Sequence, residues 1–226
     1  MNNMQEMEIN YYNIEKGTSK SVDNTDEFSY IQRLPYSCRE GKILAVNPRA
    51  GQYLQKFLES GNVIDSFVSD DEWVEVAEKF SNTVYAGYSH HPLEAIKNQH
   101  YEVVIVCEDM AYVDDVDAMF IEYYRLLKPS GVLIGGIWNV SYASNIDSII
   151  SGESIKIDSP LCGASLIPLD TLLPRLDKLG FSKTDVYRLP GDRRDCEIYA
   201  EISNNNANPV KQEVFNTKVN FICVYK

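Results

Sequence analysis

The chain has 226 residues, a formal net charge of -12 at pH 7, 44% hydrophobic residues and 24% charged residues. This balance is typical of a soluble chain with a sizeable core. The excess of acid argues against nucleic acid or an anionic membrane as a partner, because phosphate contacts need clustered lysine and arginine. We find neither a signal peptide nor an apolar run of the ~20 residues that span a bilayer, and so expect a cytoplasmic protein.

The cysteines and histidines do not predict a metal site. The five cysteines are odd in number and none shares a metal-like spacing with another, which also argues against a disulfide framework. Cys107 and Cys223 lie in apolar runs and are expected to be buried, whereas Cys38 and Cys162 fall near predicted loops. The pair His90-His91 has no second cluster beside it and indicates an exposed turn before Pro92.

Polarity divides the chain near its start. Residues 1–27 are polar and predict a loosely held arm, and residues 28–226 are expected to form one domain. A short helix is expected from Phe28, ending near Pro35.

Strands and helices then alternate. Five apolar segments predict strands: "KILAV", "NVIDSFV", "TVYAG", "YEVVIVCED" and "GVLIGGIW". Helices are expected over residues 50–60, after a cap at Ser69 or Asp70, over "HPLEAIKNQ", and between the last two strands. This alternation favours right-handed crossovers and a mostly parallel sheet covered on both faces.

The last third of the chain has a different pattern. Helices are expected within "VSYASNIDSIISGE" and over "LDTLLPRLDKLGF", the latter capped by Asp170 with Pro174 near its first turn. "SPLCGASLIP" and "GDRRDCE", which contains Arg193-Arg194, indicate loops, and "SKTDVYRL" and "NFICVYK" indicate strands. The span "ISNNNANPVKQEVFNTK" predicts a mobile hairpin or loop, with "SNNNANPVKQ" among the most mobile internal segments.

The segment from Tyr101 to Asn139 carries a family resemblance. Its strand ends in Glu108-Asp109, a helix follows, and "LLKPSG" (Leu126 to Gly131) leads into the next strand. This pattern resembles the class I S-adenosylmethionine-dependent methyltransferases, as does the late "LGF" helix end. The resemblance implies a seven-stranded, mostly parallel α/β sheet with helices on both faces. It also implies that "NFICVYK" is antiparallel and lies between the fifth and sixth strands.

The resemblance also implies positions for the cofactor, S-adenosylmethionine, beginning in the turn after the first strand. In "ILAVNPRAGQYL" the family's acid aligns with Ala45, and its first two glycines align with Asn47 and Arg49. Only Gly51 matches. We expect Arg49 either to project into the space of the cofactor's carboxylate end or to pair with Glu108 or Asp109.

The remaining cofactor positions are also altered. The ribose-binding acid aligns with Phe67 or Val68, with Ser69, Asp70 and Asp71 slightly later. A register shifted by one or two residues would give the ribose role to Asp65 or Asp70. Tyr88 stands near the adenine position. Glu108 and Asp109 keep the acidic character after the fourth strand, and they are the only general bases that we would name. No catalytic residue is assigned.

Trp138, Asn139 and Tyr142 follow the fifth strand, at the carboxyl edge where open α/β sheets bind ligands, and are candidates to contact a substrate. "WNVSYASNIDSIISGE" resembles the same segment in family members found beside glycosyltransferases, which implies a glycan substrate.

Three functions remain open from the sequence. The first is a methyltransferase acting on a glycan or a small cell-surface precursor. The second is a non-catalytic scaffold or regulatory subunit that has lost cofactor binding and has a protein partner. The third is a nucleotide or nucleotide-sugar enzyme on a Rossmann-like sheet, since fold alone does not fix function.

Overall fold

The computed structural model describes residues 27–87, 96–110, 115–152, 167–191, 196–204 and 211–226. The strands are β1 (Lys42–Val46), β2 (Val63–Val68), β3 (Thr83–Ala86), β4 (Tyr101–Asp109), β5 (Leu127–Trp138), β6 (Lys183–Pro190) and β7 (Thr217–Tyr225). The α-helices within these ranges are α1 (Gln55–Glu59), α2 (Val74–Ala77), α3 (Val116–Leu126), α4 (Ala143–Ile150), α5 (Leu169–Lys178), α6 (Glu197–Asn204) and α7 (Gln212–Asn216). Three 3-10 helices span Glu27–Arg33, Gln52–Leu54 and Asp71–Trp73.

The seven strands form one sheet in the order β3-β2-β1-β4-β5-β7-β6. Neighbours from β3 to β5 pair in parallel, whereas β7 is antiparallel to both β5 and β6. The predicted sheet and the predicted insertion of "NFICVYK" between the fifth and sixth strands are therefore confirmed.

The sheet is the middle of three layers. Alternate residues of a strand face opposite sides, so apolar side chains lie on both faces of the sheet and helices cover both. Leu44 and Val104 pack on one face with side chains of α3 and α5, including Phe120. Ile43 and Ile105 pack on the other face with α1 and the first 3-10 helix. The central strands are apolar on both faces for this reason, as expected of a covered parallel sheet.

At the start of β5, the backbone of the "LLKPSG" segment passes close to the carbonyl oxygens of Lys128 and Glu102. Ser130 adopts a positive φ of 64°, a left-handed conformation that is uncommon for a residue other than glycine. At Gly131 a Cβ atom would lie 2.9 Å from the carbonyl oxygen of Lys128 and 3.2 Å from that of Glu102. Glycine is required here because neither backbone oxygen can move aside as a flexible side chain could.

Several helix boundaries differ from the sequence expectation. The amide nitrogens of Thr171 and Leu172 both donate to the carbonyl of Pro168, so α5 begins before the predicted cap at Asp170. Pro174 lies inside α5 rather than in its first turn. Asp70 caps the 3-10 helix that precedes α2, where its carboxylate accepts from the Glu72 amide at 3.0 Å, as predicted.

The loop predicted over "ISNNNANPVKQEVFNTK" is wrong in part, because α6 extends to Asn204 and α7 begins at Gln212. These helices gain a small core of their own, in which the Tyr199 and Phe215 rings lie 5.8 Å apart between centroids. The predicted mobility of "SNNNANPVKQ" concerns residues 203–212, of which 205–210 lie outside the described residues.

Other predictions also fall outside the described residues. They concern the arm up to residue 26, Tyr88 and most of the "HPLEAIKNQ" helix, the pair His90-His91, most of "SPLCGASLIP" with Cys162, and the pair Arg193-Arg194. The boundary near residue 27 stays a prediction. Cys107 and Cys223 are buried, as expected.

A buried carboxylate ties together the amino-terminal ends of three strands. The Asp65 side chain is fully buried in β2, and its carboxylate lies 2.9 Å from Lys42 Nζ and 2.9 Å from the Tyr101 hydroxyl. Asn82 donates to the other carboxylate oxygen at 3.1 Å. Burial alone would raise the pKa of Asp65, but these hydrogen bonds outweigh it and hold the pKa below its ordinary value. Asp65 thus has a structural role far from the carboxyl end of β2.

We expect Asp65→Asn to lower the free energy of unfolding by about 2–4 kcal/mol, because the Lys42 ammonium loses its buried counter-charge. The measurement is urea unfolding at neutral pH. The matched control is Asp177→Asn, an exposed position on α5, which should change stability by less than about 0.5 kcal/mol. Equal losses in the two variants would contradict this account of the ion pair.

His100 makes the same cluster sensitive to acid. Its Nε2 lies 2.6 Å from Lys42 Nζ, and its pKa is lowered from the ordinary 6.5 by burial and by the neighbouring ammonium. Below pH 6.5 the unfolded chain therefore binds a proton at His100 more readily than the folded chain does. The contribution of His100 to the free energy of unfolding is complete above pH 6.5 and is lost as the pH falls through the folded pKa. Unfolding free energies measured across this range should fall less steeply in His100→Gln, and an unchanged slope would contradict the assignment.

Candidate functional site

The sheet topology defines one crevice as the expected ligand site. Chain order runs outward from β1 through β2 to β3 on one side, and from β4 to β5 on the other. The order therefore reverses between β1 and β4, and open α/β sheets bind ligands outside the carboxyl ends of the strands at such a switch point. Asn47 follows β1, and Glu108 lies near the end of β4, so the two residues flank this crevice.

The turn after β1 has a left-handed backbone at three positions, only one of which is a glycine. Asn47, Arg49 and Gly51 have φ angles of 49°, 50° and 80°, all in the left-handed region. Asparagine tolerates this region better than most residues, and arginine does so poorly. A Cβ on Gly51 would lie 3.1 Å from the Phe80 ring, so that position has little room as well as a positive φ.

The Asn47 side chain crosses the crevice. Its Oδ1 accepts from the Ser69 amide at 2.8 Å and from the Ser69 hydroxyl at 3.0 Å, and its Nδ2 donates to Glu108 Oε1 at 2.5 Å. The Asn47 amide also donates to the Phe67 carbonyl at 2.8 Å. We call the linked side chains of Asn47, Ser69 and Glu108 the Asn47 bridge. It joins the carboxyl ends of β2, β1 and β4.

The Tyr123 phenol is near enough to Glu108 for the carboxylate charge to affect its pKa. Burial raises the pKa of Tyr123, and the nearby Glu108 charge raises that pKa further. Tyr123 is therefore a neutral packing residue at this site. Glu108 is an acidic group of the crevice, and its Oε1 accepts a hydrogen bond from Asn47.

The residues at the end of β2 differ from the ribose-binding pattern that the family resemblance implies. Val68 and Phe67, which align with the ribose-binding acid, are 1% and 5% exposed and carry no polar side-chain atom. Ser69 is engaged in the Asn47 bridge, and Asp70 caps the following 3-10 helix. Asp70 and Asp71 are both exposed beyond this strand end, and the cap occupies one carboxylate oxygen of Asp70.

Three other predicted cofactor contacts, Arg49, Asp109 and Tyr88, are only partly covered by the described residues. The Arg49 side chain is exposed, and its predicted place in the space of the cofactor's carboxylate stays a prediction. The Asp109 backbone ends β4, while its side chain, like all of Tyr88, lies outside the described part of the chain.

The three predicted substrate residues, Trp138, Asn139 and Tyr142, lie at or just after the end of β5 and contact other residues of the protein. Asn139 is buried, and its Nδ2 donates to the carbonyls of Val214 at 2.6 Å and Thr217 at 2.7 Å, which fixes the α7–β7 junction. Lys218 Nζ lies 5.4 Å from the Trp138 ring centroid. The Tyr142 ring lies so close to residue 191 that a Cβ there would be 2.4 Å away. A substrate role for these residues remains a prediction.

Sequence reasoning named Asn47, Ser69 and Glu108 one at a time and missed that their side chains are joined. The available signal was positional, since each residue follows or ends one of three adjacent parallel strands. Their meeting depends on the left-handed φ of Asn47, which a one-dimensional pattern does not reveal.

Neither a metal site nor a membrane span is found among the described residues. No three histidine, cysteine, aspartate or glutamate side chains in those ranges are placed to hold a metal ion. No helix in the same ranges combines the length and apolar character needed to cross a bilayer.

Comparison with known proteins supports the fold. No protein-family profile matches the sequence, and no curated protein matches it. Among solved structures, the chain resembles a candidate histamine N-methyltransferase from Thermotoga maritima, an S-adenosylmethionine-dependent enzyme (18% identity, TM-score 0.60, covering 88% of this chain and 87% of that one). It also resembles an S-adenosylmethionine-dependent methyltransferase from Mesorhizobium loti (12% identity, TM-score 0.62, covering 91% and 100%).

A third similar structure is a complex between the Trm112 methyltransferase activator and a methyltransferase candidate from Haloferax volcanii (13% identity, TM-score 0.57, covering 99% of this chain and 93% of that one). Sequence identities this low support a similar fold and nothing more specific. Together with the strand order, these likenesses establish the methyltransferase fold.

The Asn47 bridge can be tested by two substitutions at one position. Asn47→Gly and Asn47→Ala should each cost about 1–3 kcal/mol of unfolding free energy, because the Ser69 amide and Glu108 lose a partner. Alanine should cost about 1 kcal/mol more than glycine, since only glycine adopts a positive φ without strain. Chemical denaturation measures both, with the exposed Asn204→Ala as control. Equal stability of the glycine and alanine variants would contradict the observed backbone.

Proposed function

We propose that this methyltransferase-fold protein is a non-catalytic scaffold or regulatory subunit whose own side chains close the cofactor crevice. One observation carries the proposal: the Asn47 bridge spans the switch point between β1 and β4 with hydrogen bonds to Ser69 and Glu108. A cofactor in this crevice would have to replace those bonds.

The energetic cost of opening the crevice supports weak cofactor binding. The bond to the Glu108 carboxylate involves a charged group, and such bonds contribute about 1.5–3 kcal/mol. Val68 in place of a ribose-binding acid removes further contacts. Each 1.4 kcal/mol is a tenfold change in affinity, so these losses together correspond to about two or more orders of magnitude.

A non-catalytic role requires a partner, and a protein is the partner that we propose. The Haloferax volcanii structure of similar fold is a complex with a protein activator, so this fold supports association with another polypeptide. The net charge of -12 disfavours nucleic acid as the alternative.

A catalytic role is a second candidate, and a separate observation favours it. The left-handed backbone at Asn47, Arg49 and Gly51 keeps the path of a glycine turn, so rotation of the Asn47 side chain would reopen the crevice without refolding the turn. The protein would then be an S-adenosylmethionine-dependent methyltransferase. We propose a glycan or a small cell-surface precursor as its substrate class, from the resemblance of the segment after β5.

Calorimetric titration with S-adenosylmethionine decides between the two candidates. We expect the unmodified protein to bind weakly or not at all. Arg49→Gly should improve binding measurably, and Asn47→Gly combined with it should improve binding further, by at least about tenfold overall. Asn204→Gly, an exposed position on α6, is the control and should leave binding unchanged.

A low-micromolar dissociation constant for the unmodified protein would contradict the proposal. If that affinity were also lost in Arg49→Gly, the turn would be a working clamp for the cofactor's carboxylate, and the catalytic candidate would be favoured.

A further inference from the structure

The β4 strand contains two extra residues where it approaches the crevice. Ile105 of β4 pairs with Ile134 of β5, and the next pair joins Asp109 to Gly136. Over this stretch β4 advances four residues while β5 advances two. We call the irregular stretch between Ile105 and Asp109 the β4 bulge. Bulges bend a strand, re-aim its side chains and are frequent next to functional sites, and Glu108 lies inside this one.

Regular strand geometry would carry Glu108 past Asn47. β1 and β4 pair in unbroken parallel register up to Val46 and Val106. If both strands continued in this way, Asn47 would lie beside Cys107, and Glu108 would lie one residue, about 3.3 Å, further along. A bulge shortens the rise of its strand, which keeps Glu108 nearer to the level of Asn47. Asn47 Nδ2 donates to Glu108 Oε1 at 2.5 Å.

A buried methionine follows the β4 bulge directly. The Met110 amide donates to the carbonyl of Gly136 at 2.9 Å, so β4 is bonded to β5 again at this point. The Met110 side chain is seated over Gly135, where a Cβ atom would collide with Sδ and lie 2.7 Å from Cγ. Met110 belongs to the same apolar cluster as Phe120 and Tyr123 of α3. Its seat therefore depends on the absence of a side chain at position 135.

We propose that Met110 is the positioning residue of the crevice and that, seated over Gly135, it holds the β4 bulge. The bulge in turn presents Glu108 to Asn47. Met110 acts through the backbone, because it lies two residues beyond Glu108 on the same chain. A side chain at position 135 would push Met110 from its seat, let the bulge relax and draw Glu108 away from Asn47. This role deepens the proposed closure of the crevice and rests on it.

The test follows the Asn47 side-chain amide by NMR, with its signals identified by their loss in Asn47→Gly. The exchange of these protons with water reports the opening of their hydrogen bond. In Gly135→Ala we expect exchange to accelerate by about tenfold or more, which corresponds to the loss of one bond to a charged group. The readout is local, so a variant that is folded but less stable overall would not reproduce it.

Gly87→Ala is the matched control, because a Cβ on Gly87 would lie 3.6 Å from the Phe67 ring, which is an ordinary contact. It should change the exchange rate by less than about twofold. Met110→Ala, which empties the seat without a collision, should also accelerate exchange, and it decides the question if Gly135→Ala does not fold. Met110→Leu conserves the volume of the side chain and should keep the Asn47 amide protected.

Unchanged exchange in folded Gly135→Ala or in Met110→Ala would overturn the proposal, and so would equal acceleration in Gly87→Ala. These outcomes leave the closed crevice in place, because they concern only how Glu108 is held. An Asn47 amide that exchanges freely in the unmodified protein would instead contradict the closure itself, before any variant is compared.

Discussion

The hydrogen bond from Asn47 to Glu108 is the interaction on which the proposed closure of the crevice depends. It crosses the switch point between β1 and β4, and the second half of the same amide is fixed by Ser69 at the end of β2. A side chain of this length can span three strand ends only because the parallel strands finish at one edge and the turn backbone is left-handed. We propose that Asn47, which aligns with a glycine of the family turn, also occupies the space that the glycine would leave open.

The rest of the sheet supports this edge through packing on both of its faces. Apolar side chains pack against both faces of the central strands, and α3 and α5 cover one face while α1 covers the other. At the opposite end of the sheet, Asp65 joins Lys42, Tyr101 and Asn82 in a buried polar cluster. The two ends thus have different chemistry: an ion pair at the amino-terminal end, and a neutral amide linked to a carboxylate at the carboxyl end.

Much of the fold could be predicted because its signals are local and repeated. The apolar run of β4, the "LLKPSG" block and the "NFICVYK" strand each fixed one part of the sheet, and the observed strand order agrees. The first and last residues of the helices were less predictable where tertiary contacts determine them. The helix α7 forms in a segment of turn-like composition because Phe215 packs against Tyr199, which the local sequence does not reveal.

The candidate site was harder to predict than the fold. Alignment identified Asn47 as a substitution in the turn, but a substitution can open a site, close it or rebuild it. The side-chain partners of Asn47 support the closed site that we propose, and they lie 22 and 61 positions away in the sequence. Asn139 was read as a substrate contact from its position after β5, while its amide is bonded to the backbone near β7.

The most direct measurement of the central claim is a crystal structure of the unmodified protein grown with a large excess of S-adenosylmethionine. The account predicts that the Asn47 amide still bonds to Ser69 and Glu108 and that the crevice between β1 and β4 contains no density for the cofactor. Clear cofactor density in that crevice, with Asn47 rotated away from Glu108, would contradict it.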